Sequence, residues 1–405
     1  MRMRELDERA RAALNKAAAL GEDIDLDSFL TDSPRYEKID DLKRLPEQDR
    51  QRMLMAGIDT DGRQRSGSYL QKDGSPVFSA AFQEGLEIVP IKEALERYDW
   101  LVDFYWNLIP VDMDKYTARA RLNLQNGYLI RALPGARITI PAQACMYIET
   151  EGFSQNVHNI VIAEEGSELH MITGCASATH VARGVHVGIS EFYVKKNAKL
   201  SFTMIHHWAE DVAVRPRSAC IVEEGGLFLN NYISMKPVRS LQMAPVTSLV
   251  GKGAVARFYS LLAGHPGSEL DVGGRVILRA EETRAEIVSR SITNGGTIIA
   301  RGDLIGEVPG VRGHLECHGL ILKGGVIKAV PELTATAEGV EMSHEAAVGK
   351  IAQEEIFYLM SRGLTEEESA AMIVRGFLNV EIPGLPRPLQ QEIDRAVELS
   401  RTEMM

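Results

Sequence analysis

The sequence is short of cysteine, of positive charge and of long apolar runs, and each shortage narrows what the chain can be. Only four cysteines occur in 405 residues, Cys145, Cys175, Cys220 and Cys317, and no two form a C-x-x-C pair. That spacing argues against a disulfide framework and against a zinc finger. Acidic residues outnumber basic ones 56 to 45, for a net charge of −11. A general nucleic-acid binder needs a basic face to displace counterions, so nucleic acid is not an expected partner. No uncharged apolar run approaches the ~18 residues that a spanning helix needs. The opening MRMRELDERARAAL alternates charges and lacks the apolar region of a secretory signal. The expectation is a cytoplasmic protein without a membrane partner. There is no Walker A sequence, no G-x-G-x-x-G opening a helix, no G-x-S-x-G and no H-E-x-x-H. No nucleotide site is expected in this chain; if ATP is used, a partner supplies it.

What is present changes character twice. Residues 1–116 read as an N-terminal helical or mixed domain: RELDERARAALNKAAAL is rich in helix formers, and GIDTDGRQRSGSYLQKDGSP reads as a loop or linker. From 117 to 340, short β-branched runs such as ARITI, NIVIA, EFYVK and GRVILRA follow one another with no room for helices between. Turn anchors at Gly166, Asn197, Gly225, Gly253, Thr283 and Arg312 recur at a nearly constant spacing of roughly 29 residues. A helix-free period near that value implies a solenoid, a parallel β-helix of stacked coils, with a β-sandwich as the alternative. Residues 341–405 read as a C-terminal helical domain. KIAQEEIFYLMSRG is an amphipathic helix ending at Gly363, Thr365 and Glu368 form a capping box for the next, and a last helix covers about 387–403.

The chemistry-bearing stretches each allow two readings. HLECHG, residues 314–319, places His314, Glu316 and His318 on one face of a strand and Leu315 and Cys317 on the other. The first three are either a two-histidine, one-carboxylate metal site or a solvated polar face. The repeat sets Cys317 in a mostly apolar column with Met171, Phe202, Asn230, Phe258 and Val288, so it points inward, either as a small buried hydrophobe or as a soft-metal ligand. His344 and Glu345 in SHEAAVGK are either further ligands or the polar start of a helix capped by Ser343. Cys175 in ITGCASA is either packed in a turn or a reactive thiol. His206 and His207 beside Trp208 read as core or partner-facing residues, and Cys145 and Cys220 as core.

SHEAAVGKIAQEEIFYLMSRGLTEEESAAMIVRGF resembles the C-terminal signature of the SufB/SufD family of iron–sulfur cluster scaffold proteins. HEA, GKI, FYLMSRGL, EEE and IVRGF match in order, and TGCASA followed downstream by the tryptophan of HHW resembles the middle of SufB. The likeness covers roughly residues 110–380 and is closest to the minimal SufB-like proteins of archaea and anaerobes. It implies a mainly β fold, a right-handed parallel β-helix flanked by N-terminal and C-terminal helical domains. It implies a non-enzymatic scaffold for a transient iron–sulfur cluster, expected to be of the 4Fe-4S type, built at a homodimer interface and passed to apo iron–sulfur proteins. A SufC-like ABC-type ATPase would dock on the helices at about 353–378. Carried over by position, the resemblance makes Cys317, Glu345 and His344 the cluster ligands and Cys175 a sulfur acceptor. The residues before Trp208 are His206 and His207 here, where SufB has a polar pair of another kind. Two readings of other classes stay beside it: a cupin-like non-haem metal enzyme using His314, Glu316 and His318, and a purely structural ATPase-activating subunit.

Overall fold

The computed structural model describes residues 2–61 and 64–379, together with 390, 391, 393 and 394. Its strand-rich middle is a parallel β-solenoid of about eight turns. Two sheets face each other across an apolar interior. The first contains, in spatial order, Ser75–Ala81, Gly67–Lys72, Arg137–Ile148, Glu168–Ser177, Lys199–His207, Leu227–Ser234, Val255–Gly264, Arg284–Thr293, Arg312–Ile321 and Glu341–Lys350. Along its main run each strand lies parallel to the next, one coil further along the chain: Glu168 opposite Lys199, then Leu227, Val255, Arg284, Arg312 and Glu341 in turn. Parallel pairing at one coil's spacing sets the β-sandwich aside. The second sheet closes the other face and has Val326–Ala335 along the Thr297–Gly306 strand at its end.

The repeat comes from one turn per coil that needs a left-handed residue. Gly166, Asn197, Gly225, Gly253, Glu282, Gly310 and Gly339 all have positive φ. They recur once per coil, at the same spacing of roughly 29 residues that the sequence shows. Glycine fills five of these seven positions because it alone adopts that region without a Cβ penalty. Glu282 does so at φ 61°, and it is there that the sequence register slips: the anchors at Thr283 and Arg312 belong at Glu282 and Gly310. The inward column is therefore Met171, Phe202, Asn230, Phe258, Ile287 and Leu315. Val288 lies on the outer face with Ile292 and Leu320, under Val374 and Leu378.

Six helices flank the solenoid among the described residues: α1 (Arg2–Ala12), α2 (Glu47–Met55), α3 (Ile91–Arg97), α4 (Lys115–Leu122), α5 (Gln353–Met360) and α6 (Glu366–Leu378). Two expectations change. The supposed linker contains the Gly67–Lys72 strand, buried along its whole length. Its polar side chains are satisfied, Gln71 Nε2 donating to the Asp73 carbonyl two residues on at 2.8 Å and Lys72 Nζ to the distant Asp49 at 2.6 Å and Glu149 at 2.8 Å. The parallel stack also runs on through Glu341–Lys350, so SHEAAVGK is strand and Ser343 caps nothing; helix resumes at Gln353. Residues 387–403 fall largely outside the described residues. The capping box of α6 forms as read, Glu368 N–H donating to Thr365 Oγ1 at 3.1 Å and Thr365 N–H to Glu368 Oε2 at 2.8 Å.

Helices α1, α3 and α4 cover the second sheet through a separate core that includes Ile160, Ile162, Val187, Ile189, Tyr105, Trp106 and Tyr116. One charge organises it. Glu191, fully buried, accepts the backbone N–H groups of Trp106 at 2.7 Å, Asn107 at 2.8 Å, Leu108 and Ile109 at 3.2 Å, and also contacts His158 Nε2 at 2.8 Å. This cradle holds Trp106 at φ 53°, a conformation bulky residues avoid. Glu191→Ala would strand the four backbone donors, and a buried donor without a partner costs roughly 1–3 kcal/mol. The expected loss in a denaturant titration is at least about 3 kcal/mol, with Glu191→Gln intermediate. A loss below about 1 kcal/mol for the alanine variant contradicts this account.

Candidate functional site

The solenoid places Cys317 one strand from its end. In register it lies between Ser289 and Ala346, in the inward column of Thr173, Met204, Tyr232, Ser260 and Ser289. Its side chain is 2% exposed and packs in the interior cluster with Leu315. The inward parity read from the sequence holds, although Val288 is not in that column. Two slips of one residue, at Val288 and again at Cys317, add to two, and strand faces repeat every two residues.

The partners named from the sequence divide between the two faces of the last strand. His344 lies opposite Leu315 and shares the inward parity of Cys317. Glu345 lies opposite Glu316, on the outer parity, with an oxygen 3.7 Å from His318 Nε2. Within one chain, therefore, Cys317 and His344 come to the same face and Glu345 to the other. Among the described residues no group of three or more His, Cys, Asp and Glu forms a metal cage.

The outer histidines are engaged. His314 Nδ1 contacts Ser343 Oγ at 2.8 Å. Glu316 pairs with Arg290 at 2.6 Å and lies 3.2 Å from His318 Nδ1. Arg290 also meets His318 directly and stacks over the Phe377 ring of α6 at 5.6 Å. A guanidinium thus stands beside two of the three side chains that a metal at His314, Glu316 and His318 would use. Arg290 carries no sequence signal for this role. It is remote from Glu316 along the chain and meets it only because one coil sets the two strands side by side, with Arg290 opposite His318.

Cys175 is fully buried on the inward face, opposite His206 in register. Around it the interior is polar and aromatic. His206 Nδ1 bonds the Tyr232 hydroxyl at 3.0 Å, Trp208 packs on His206 and on His186 at 5.1 Å, and His186 Nδ1 bonds Gln155 Oε1 at 2.9 Å. Sequence reasoning missed His186, Gln155 and Tyr232, which lie on other strands; only the coil spacing, applied residue by residue, relates them. Five strand steps separate Cys175 from Cys317, about 24 Å at ~4.8 Å per step.

The four thiols differ in how far their surroundings raise them. Desolvation, then the Glu316 charge, pushes Cys317 up to about 11. Cys145, Cys175 and Cys220 are enclosed in the core, and burial pushes each well above the ordinary thiol range. Thiolate is the reactive form. In native protein treated with iodoacetamide, Cys317 is expected to be modified first, at a rate rising about tenfold per pH unit between roughly pH 8 and 10. Peptide mass spectrometry reads the order, and modification of Cys175 first contradicts it.

Comparisons with known proteins bear on this geometry. Residues 146–377 match the family profile described as SUF system FeS cluster assembly, SufBD core domain. The chain is 52% identical over 358 residues to an iron–sulfur cluster assembly SufBD family protein of Archaeoglobus fulgidus, covering 88% of this chain and 96% of that one. It is 47% identical over 405 residues to one from Methanothermobacter thermautotrophicus, covering 98% and 99%. It is 30% identical over 372 residues to one from Pyrococcus horikoshii, covering 90% and 83%.

Proposed function

Because the chain belongs to the SufBD family of iron–sulfur cluster assembly proteins, we propose that it is a non-enzymatic scaffold that builds a cluster on Cys317 where two copies of the chain meet. The cluster is cargo, made here and handed to apo iron–sulfur proteins. The observation that carries the reading is the position of Cys317: inward-facing, beneath a last strand whose residues are nearly all exposed.

An edge strand of ten residues is a template for another chain. Val326 and Leu333 of the last strand of the second sheet, and Val348 of the last strand of the first, are 54%, 40% and 43% exposed. A second copy meeting this end about a two-fold axis would cover those side chains and bring two Cys317 thiols toward one another. One soft ligand per chain does not hold a cluster that prefers several thiolates, and two chains supply two. His344, on the same face at the rim, adds a nitrogen. Glu345 leaves the opposite face, so it joins the ligand shell only when the edge strand turns. Mixed ligation of this kind is weaker than four cysteines, which suits a site that must release its product.

That movement would come from an ATPase partner of the SufC type. The surface proposed for it is α5 and α6, where Phe357 is 60%, Tyr358 58% and Met372 50% exposed. Phe377 of α6 rests on Arg290, and Arg290 holds Glu316 next to Cys317, so a load on α6 reaches the Cys317 strand through two contacts. Phe357→Asp combined with Met372→Asp is expected to abolish co-purification with the ATPase while leaving the melting temperature within a few degrees, since exposed substitutions shift stability by about 0.5 kcal/mol or less. The setting proposed is the cytoplasm; among the described residues no helix is long and apolar enough to cross a membrane.

Cluster transfer tests the scaffold reading. Protein reconstituted anaerobically with ferrous iron and sulfide is mixed with an apo ferredoxin. The acceptor is expected to gain the thiolate-to-iron charge-transfer band as the scaffold loses it, and a band that stays on this protein contradicts the reading.

A further inference from the structure

A cavity of about 450 Å³ opens at one corner of the solenoid, away from the Cys317 end. Arg52 from α2, Thr179, His207, Trp208, Lys236 and His265 are among the residues lining it. The corner is built by the repeat. Trp208, Lys236 and His265 leave the ends of three successive strands of the first sheet, and α2 packs against the first of them. Arg52 Nε donates to the Ser177 carbonyl at 3.0 Å, which fixes the guanidinium at the wall.

Two features give the cavity a chemical preference. First, two basic side chains line it: Lys236 is 8% exposed, and Arg52 is half-buried. The acidic residue of the lining, Glu210, is at the exposed rim. Second, His207 is 5% exposed and neither ring nitrogen has a hydrogen-bond partner. An unpaired buried polar group costs roughly 1–3 kcal/mol, and such groups mark places where a ligand completes the bonding. Burial, then Arg52 and Lys236, push the His207 ring down to about 3, so without a ligand it is a neutral donor and acceptor. His265 Nε2 is engaged with the Met235 carbonyl at 2.9 Å, leaving His207 as the histidine able to receive something new.

We propose that this pocket, bounded by Arg52, His207 and Lys236, is a binding site for a small inorganic anion of the sulfide or phosphate class. The cations supply charge, His207 supplies a directed N–H, and Trp208 and Pro237 supply a dry wall that strengthens both. The inference stands on the pocket alone and holds whether or not Cys317 carries a cluster. Its position gives it a consequence: Trp208 lines the cavity on one side and packs on His206 on the other, with Cys175 opposite His206 inside the wall. An anion held here sits across one aromatic layer from the buried thiol.

Calorimetry on full-length, chelator-treated protein tests it, with sodium sulfide in one arm and sodium phosphate in the other, each against sodium chloride at equal ionic strength. One saturable site per chain is expected in at least one arm, weakened about tenfold or more in Lys236→Gln and in His207→Leu. Tighter sulfide binding marks the pocket as a holding site for a sulfur source, and tighter phosphate binding marks it as an oxyanion site. Circular dichroism confirms that the variants fold; if either does not, Arg52→Gln takes its place. No saturable heat in either arm, or the same affinity in wild type and variants, overturns the proposal.

Discussion

Cys317→Ser is expected to remove cluster assembly almost completely while leaving the fold intact. The exchange replaces a soft thiolate by a hydroxyl that does not ionise near neutral pH and binds iron weakly. The same register column already carries Ser260 and Ser289 at neighbouring positions, so a serine fits the inward lane without new contacts. The stability change should stay within about 1 kcal/mol. Cluster yield after anaerobic reconstitution should fall at least about tenfold, the minimum for loss of an anchoring ligand by the scale of weaker outer-sphere losses. Cys145→Ser and Cys220→Ser are the controls. Both residues are in the core and neither lies at the open end, so each should cost stability and spare the yield per folded chain. A Cys317→Ser protein that assembles cluster at the wild-type level would move the site elsewhere.

The second large effect is on stability in acid. His186, His206 and His207 are buried, and burial is the first cause pushing each ring down to about 3; His206 is further lowered by His186, and His207 by Arg52 and Lys236. In the unfolded chain the same rings take a proton near pH 6.5. Between those values the unfolded state binds more protons than the folded one, so stability rises with pH and is lost as pH falls through the window. Each histidine contributes a slope of up to about 1.4 kcal/mol per pH unit, and the three together roughly 4. Against a total of about ten kcal/mol for a folded domain, the two pH units below 6.5 remove roughly 8 kcal/mol, most of the stability. Melting curves should be nearly constant from pH 8 to 7 and fall steeply between pH 6 and 5. His207→Gln should flatten that fall by about a third, because one of the three sites no longer titrates. Equal melting temperatures at pH 7 and pH 5 would show that these rings are not held neutral.

The solenoid was legible because its turns repeat a backbone requirement that glycine advertises. The register slips first where Glu282 takes the left-handed conformation, since nothing in an acidic residue marks positive φ, and slips once more before Arg312, whose place belongs to Gly310. The two slips add to the two-residue period of a strand, so the inward parity of Cys317 stands. Two strands were hidden for opposite reasons. Gly67–Lys72 looks like a linker because Gln71 and Lys72 are polar, and their partners Asp73, Asp49 and Glu149 are not visible as partners in sequence. Glu341–Lys350 looks like the start of a helix because HEAA favours one, and pairing with the whole Arg312–Ile321 strand outweighs that preference. For the site, the resemblance supplied Cys317, His344 and Glu345, and the coil geometry then separated Glu345 from the other two. The Arg290 network and the Arg52–His207–Lys236 corner join residues from separate coils and helices, and such groupings exist only once the strands are stacked.

Native mass spectrometry of the anaerobically reconstituted protein tests the central claim most directly, since it weighs chains and cluster together. The account predicts a species of two chains carrying one cluster, absent from the Cys317→Ser protein. A cluster carried by a single chain, a two-chain species whose cluster persists in Cys317→Ser, or no cluster on any species would contradict it, the last favouring a subunit that serves its ATPase without holding metal.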